Sequence, residues 1–97
     1  LLSTKENIMV GSYSLDSIYP NPFNPVTLIT FNLPIADMVS IKVFDITGRE
    51  LLTLKDDYTL AGSHTINWDA SSHPSGVYLL QMTSGSFSKT RKIVLMK

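Results

Sequence analysis

From Tyr13 onward, apolar and polar residues alternate with a period of two, the signature of half-buried β-strands. In residues 26–33, Ile29, Phe31 and Leu33 fall on one face, and Thr30 and Asn32 on the other. Residues 38–45 repeat the pattern with Val39, Ile41 and Val43. Residues 51–55 form a short apolar run, and residues 64–68 alternate with His64, Ile66 and Trp68 in phase. Residues 76–83 are apolar on both faces, as a central strand would be. A last strand is expected over residues 87–96 and a first over residues 13–18, about seven in all. No segment has the length and spacing of an amphipathic helix.

Turn signals separate these runs at regular intervals, which predicts an all-β sandwich or barrel. Asp45-Ile46-Thr47-Gly48-Arg49 fits a tight hairpin with Gly48 at positive φ. Ser84-Gly85 marks another turn, and Pro34 and Pro74 end strands because proline lacks the ladder N–H. Phe31, Val43, Ile66, Trp68, Tyr78 and Leu80 are the expected core. The simplest architecture is an Ig-like antiparallel β-sandwich. Antibody-type Cys…Trp…Cys spacing cannot occur, because the chain has no cysteine.

With 97 residues and 43% hydrophobic content, the chain suits one modest core. Residues 1–12 read as a linker and residues 13–97 as the domain. The chain begins Leu1-Leu2-Ser3 without an initiator methionine, which fits a piece of a larger protein. No apolar run approaches the ~20 residues of a spanning helix, so no membrane insertion is expected. A net charge of zero argues against a nucleic-acid partner. That zero conceals a split. Residues 1–69 carry four basic and eight acidic side chains, residues 70–97 four basic and none acidic. Lys89, Arg91, Lys92 and Lys97 crowd the closing segment. Basic side chains on both faces of the last strand predict that it lies at a sheet edge or projects past the sheet, and lysine at an edge also discourages unwanted pairing.

Catalytic chemistry finds no support in the spacing. There is no nucleophile elbow, no identifiable triad, no phosphate loop and no calcium loop. His64 and His73 are read as structural or surface residues, and Asp56-Asp57 as a polar turn. No catalytic residue, cofactor or metal is expected. Tyr19, Phe23, Tyr58 and Trp68 are candidates for a sugar-binding platform, although the phase of Trp68 favours burial. An accessory carbohydrate-binding or spacer module is therefore the alternative reading. The segment Tyr19-Pro20-Asn21-Pro22-Phe23-Asn24-Pro25 predicts a rigid loop leading into the next strand, with Phe23 pinning it to the core.

Five motifs occur in order: residues 19–25; Asp45-Ile-Thr-Gly-Arg49; Gly62-Ser-His-Thr-Ile-Asn-Trp-Asp69; Ser75-Gly-Val-Tyr78; and Thr90-Arg-Lys-Ile-Val-Leu-Met-Lys97. Together they resemble the type A C-terminal sorting domain of the type IX (Por) secretion system. An Ig-like domain of flagellar hook-capping proteins shares the third and fourth motifs but lacks the proline-rich segment and the basic end. The resemblance implies a non-catalytic sorting signal at the end of a larger secreted cargo. Its partners would be the type IX translocon, a sortase-like protease and the upstream cargo domain of the same chain. The cargo would be periplasmic in transit, then secreted or held at the cell surface. Cleavage would fall in or before residues 1–12. By the same resemblance, the sorting-motif residues are Pro20, Asn21, Pro22, Phe23, Gly48, Gly76, Tyr78, Lys92, Ile93, Val94, Leu95, Met96 and Lys97. The basic last strand would then meet an acidic or edge-exposed receptor by strand addition.

Overall fold

The computed structural model describes residues 12–97. Of the expected linker, only Ser12 lies within them. Seven strands follow in order: β1 (Ser14–Tyr19), β2 (Val26–Leu33), β3 (Asp37–Asp45), β4 (Glu50–Thr59), β5 (Gly62–Asp69), β6 (Gly76–Ser84) and β7 (Phe87–Leu95). They form a three-stranded sheet ordered β1-β2-β5 and a four-stranded sheet ordered β4-β3-β6-β7. Every pairing within the sheets is antiparallel. This is the two-sheet, Ig-like sandwich expected from the alternation.

One face of each strand supplies the core. Ile29, Phe31 and Leu33 of β2 meet Val39, Ile41 and Val43 of β3, and Leu80 and Met82 of β6, all buried. Ile93 and Leu95 bring β7 into the same core. Trp68 and Tyr78 are buried as expected, whereas Ile66, on an edge strand, is only partly covered.

Three local expectations shift. β4 runs ten residues rather than five, because Asp56, Asp57 and Tyr58 continue the ladder opposite Ser40, Val39 and Met38. The Asp56-Asp57 pair is thus strand, not turn. An edge strand tolerates such polar residues because part of it faces water. β6 is not apolar-buried on both faces. It alternates, with Tyr78, Leu80 and Met82 inward and Leu79 and Gln81 partly exposed. The β6–β7 turn is Gly85-Ser86, one residue later than read, and Gly85 has φ +58°.

The topology gives the sandwich two poles. At one lie the end of β1, the start of β2, the β3–β4 hairpin, the β5–β6 loop and the end of β7. At the other lie the β2–β3, β4–β5 and β6–β7 connections and Tyr13, where the chain enters β1.

Candidate functional site

The first pole gathers nearly everything the sequence singles out. The loop of residues 20–25 leaves β1, crosses to the outer edge of β7 and returns to β2. Phe23 drops into the core, 2% exposed, and its ring lies 5.5 Å from that of Trp68. Its backbone pairs with β7 as a short parallel bridge opposite Leu95. Phe23 N–H donates to the Val94 carbonyl at 2.9 Å, and the Phe23 carbonyl accepts from Met96 N–H at 2.9 Å. Asn21 extends this pairing with its side-chain amide. Nδ2 donates to the Lys92 carbonyl at 3.2 Å, and Oδ1 accepts from Val94 N–H at 3.0 Å. The amide thus stands in for a peptide unit, one donor and one acceptor aimed at a strand edge. Pro20 and Pro22 are exposed, and the Pro20 carbonyl accepts from the buried Thr27 hydroxyl at 2.7 Å.

Trp68 is the hub behind this loop. Tyr78 meets it edge-on at 5.6 Å, and His73 at 5.5 Å. The Tyr78 hydroxyl donates to the Pro74 carbonyl, and burial raises its pKa. His73 therefore packs as a structural ring, as expected. His64 stacks on Phe31 and bonds to the Leu60 carbonyl at 2.7 Å.

Gly48 sits in the exposed β3–β4 turn with φ +89°, a conformation that favours glycine. Asp45 organises that turn: its Oδ1 accepts from Thr47 Oγ1 at 2.5 Å, Thr47 N–H at 2.9 Å and Arg49 N–H at 3.1 Å. Those bonds lower its pKa, the Thr47 hydroxyl first and the Arg49 amide next. Gly76 starts β6 at φ +156° with open space where a Cβ would be, so its need is conformational rather than steric.

The closing residues divide by face. Ile93 and Leu95 are buried, Val94 is half-buried, and Lys92, Met96 and Lys97 are exposed. Lys97 is tied back to the β5–β6 loop. Its ammonium donates to the carbonyls of Ser71 at 2.8 Å and His73 at 2.7 Å, and its backbone N–H donates to Ser75 Oγ at 3.0 Å.

A groove of about 410 Å³ separates the Asp45–Arg49 turn from residues 73–78. Two motifs far apart in sequence therefore share one depression. The sequence reading missed Thr27 and Ser75, whose hydroxyls fasten the loop and the chain end. A hydroxyl's hydrogen-bond partner carries no signal in periodicity.

The aromatic candidates for a sugar platform do not come together. Phe23 and Trp68 are buried, Tyr19 is exposed at the motif-bearing pole, and Tyr58 is exposed at the other. Among the described residues, no group of three or more His, Asp or Glu side chains is placed to hold a metal ion.

Comparison with known proteins agrees with this fold. The profile of the secretion system C-terminal sorting domain family matches residues 17–96. No curated protein sequence matches the chain. Among solved structures, the chain is similar to dimeric latent PorU from Porphyromonas gingivalis, with a TM-score of 0.67 and 17% identity. That match covers 89% of this chain and 10% of the other. It is also similar to PorZ of the same organism, described as an essential surface component of the type-IX secretion system. There the TM-score is 0.56 at 24% identity, covering 84% of this chain and 11% of PorZ. The chain thus spans about a tenth of either protein, and these likenesses establish a shared fold.

Proposed function

The chain belongs to the family of secretion system C-terminal sorting domains, and on that premise we propose that it routes a larger cargo protein through a type IX secretion system, with its motif-bearing pole as the recognised surface. The cargo folds in the periplasm, crosses the outer membrane, and is released or attached at the cell surface. The partners are the translocon and a sortase-like protease that cuts in or before residues 1–12. The sorting-motif residues act in two ways. Phe23, Gly48, Gly76, Tyr78, Ile93 and Leu95 hold the pole in shape. Pro20, Asn21, Pro22, Lys92, Val94, Met96 and Lys97 lie on or near its surface.

The observation that carries this reading is the convergence of the motifs. The sorting-motif residues are spread from Pro20 to Lys97, yet gather in the half of the sandwich opposite Tyr13, where the chain enters the domain. A recognition surface placed there stays accessible when a bulky domain precedes β1.

The test fuses the chain behind a signal peptide and a folded reporter in a bacterium with a type IX system. The intact fusion reaches the medium or cell surface, and the reporter without the module stays in the periplasm. Equal export of both overturns the proposal. Deleting residues 92–97 is a poorer test, because it removes the buried Ile93 and Leu95 and with them the fold.

A further inference from the structure

The outer edge of β7 is half covered. Phe23 and the Asn21 amide bond to Lys92, Val94 and Met96, so the backbone groups of even-numbered residues point outward. The β6–β7 ladder runs from Gly76↔Leu95 to Ser84↔Phe87 without a register shift. The same parity therefore holds along the strand. The N–H and C=O of Ser88 and Thr90, and the N–H of Lys92, face outward beyond the end of the loop.

Among the described residues nothing covers this stretch, and its side chains are basic and polar. Ser88, Lys89, Thr90 and Lys92 are all exposed. Arg91 is used differently: its Nη1 donates to the Leu15 carbonyl at 3.1 Å and holds the edges of the two sheets together. No acidic residue lies between residues 70 and 97.

We propose that this half-edge, residues 88–92, is where a partner adds an extended acidic segment as a further strand. The inference rests on the sorting reading and adds to the motif pole a second contact, on the half of β7 that starts beside the β6–β7 turn. Main-chain bonds to Ser88, Thr90 and Lys92 supply affinity, and carboxylates beside Lys89 and Lys92 supply selectivity. The lysines repel basic strands and disfavour apolar ones, so the feature that guards the edge against aggregation also chooses its partner. The Asn21 amide sets the register, because an added strand must stop where that amide already occupies the Lys92 carbonyl. Strand addition is thereby moved away from the closing residues, whose outward groups at Val94 and Met96 are taken.

The probe is a capped heptapeptide with carboxylates on both strand faces, Glu-Glu-Val-Glu-Glu-Val-Glu, titrated into the isotopically labelled 97-residue chain and followed through backbone amide shifts. The expected result is saturable shifts at Ser88, Thr90 and Lys92, with Val94 and Met96 unmoved. The double variant Lys89→Glu/Lys92→Glu should weaken binding by about tenfold or more. Thr90→Pro should abolish it. Its N–H points to solvent, so proline there spares the β6–β7 ladder, and an unchanged amide spectrum elsewhere verifies the fold. A lysine–valine peptide that binds equally well overturns the inference. So do shifts confined to the β5 edge or to the groove at residues 73–78. In the export assay, Thr90→Pro should leave the reporter in the periplasm. If Thr90→Pro exports normally while the module-less reporter does not, this inference fails and the sorting reading stands. If the module-less reporter is exported, the sorting reading itself fails.

Discussion

The two poles are built from the same seven strands by different means. At the pole remote from the motifs, connections are short: residues 34–36, residues 60–61, and Gly85-Ser86. Its main side-chain ties are Tyr13 Oη to Asp37 at 2.8 Å and Ser84 Oγ to the Met38 carbonyl at 2.6 Å. At the motif pole, Asn21 and Phe23 reach residues more than seventy positions away, and Lys97 closes on the β5–β6 loop. One pole joins its strands by tight turns, with Tyr13 stacked on Phe87 as its long-range tie. The other is finished only when the last residues of the domain arrive. A surface that exists only when the domain is complete suits a sorting signal, because it reports that the module has folded.

The largest expected difference between the poles lies at Phe23. Phe23→Ala removes a buried ring from beside Trp68 and loosens the loop, which should cost about 3–5 kcal/mol. At the other pole, Tyr13→Phe loses one part-buried hydrogen bond and should cost about 1 kcal/mol. Urea denaturation of both variants measures the contrast. Equal costs would mean that the poles are energetically alike.

Asn21→Ala sharpens the contrast within the motif pole. It removes the two amide bonds to β7 but no buried apolar surface, a loss of about 1–2 kcal/mol. Hydrogen exchange at Val94 N–H should quicken while exchange at Ile93 N–H, on the inner side of the strand, holds. Simultaneous quickening of both would show that the loop supports the whole strand rather than its outer edge.

Gly48→Ala is smaller still. At φ +89° an alanine is strained by about 1 kcal/mol. The loss should appear in the urea midpoint, with export of the reporter unchanged if Gly48 serves the turn alone. Lost export with a normal midpoint would make Gly48 part of the recognised surface.

Much of this was legible in the chain. Alternation placed the strands, because a sandwich buries one face of each. The phase of Trp68 with Ile66 foretold its burial, and basic residues on both faces of the last strand marked it as an edge. What periodicity could not show is that Asn21 and Phe23 lie against that edge. A hydrogen bond across more than seventy residues leaves no local pattern. For the same reason, the half of β7 open to a partner was not visible. The basic residues drew attention to Lys89–Lys97 as a whole, whereas among the described residues the uncovered backbone is confined to residues 88–92. The full length of β4 was hidden because Asp56 and Asp57 read as turn chemistry, and only the edge position explains their place in a ladder.

The smallest expected effect is in acid, and it sets the two carboxylate-held turns, at Asp45 and Asp69, apart from the rest of their pole. The Asp45 carboxylate is stabilised first by the Thr47 hydroxyl and next by the Arg49 amide, so its pKa in the folded chain lies below the ordinary 3.8. A carboxyl with a depressed folded pKa contributes stability that is fully present above its unfolded pKa. That contribution disappears as pH falls through the folded pKa. Asp69, held down mainly by the Ser71 hydroxyl, behaves in the same way. Stability should therefore be level in these two groups near neutrality and decline below about pH 4. Asp45→Asn should lower stability at pH 7 yet flatten the acid decline, because the titrating group is gone. Asp69→Asn should do the same through the β5–β6 loop. Urea midpoints of the three proteins between pH 7 and pH 2.5 provide the measurement. If Asp45→Asn loses stability in parallel with the parent at every pH, the turn's contribution comes from Gly48 and its backbone bonds rather than from the carboxylate.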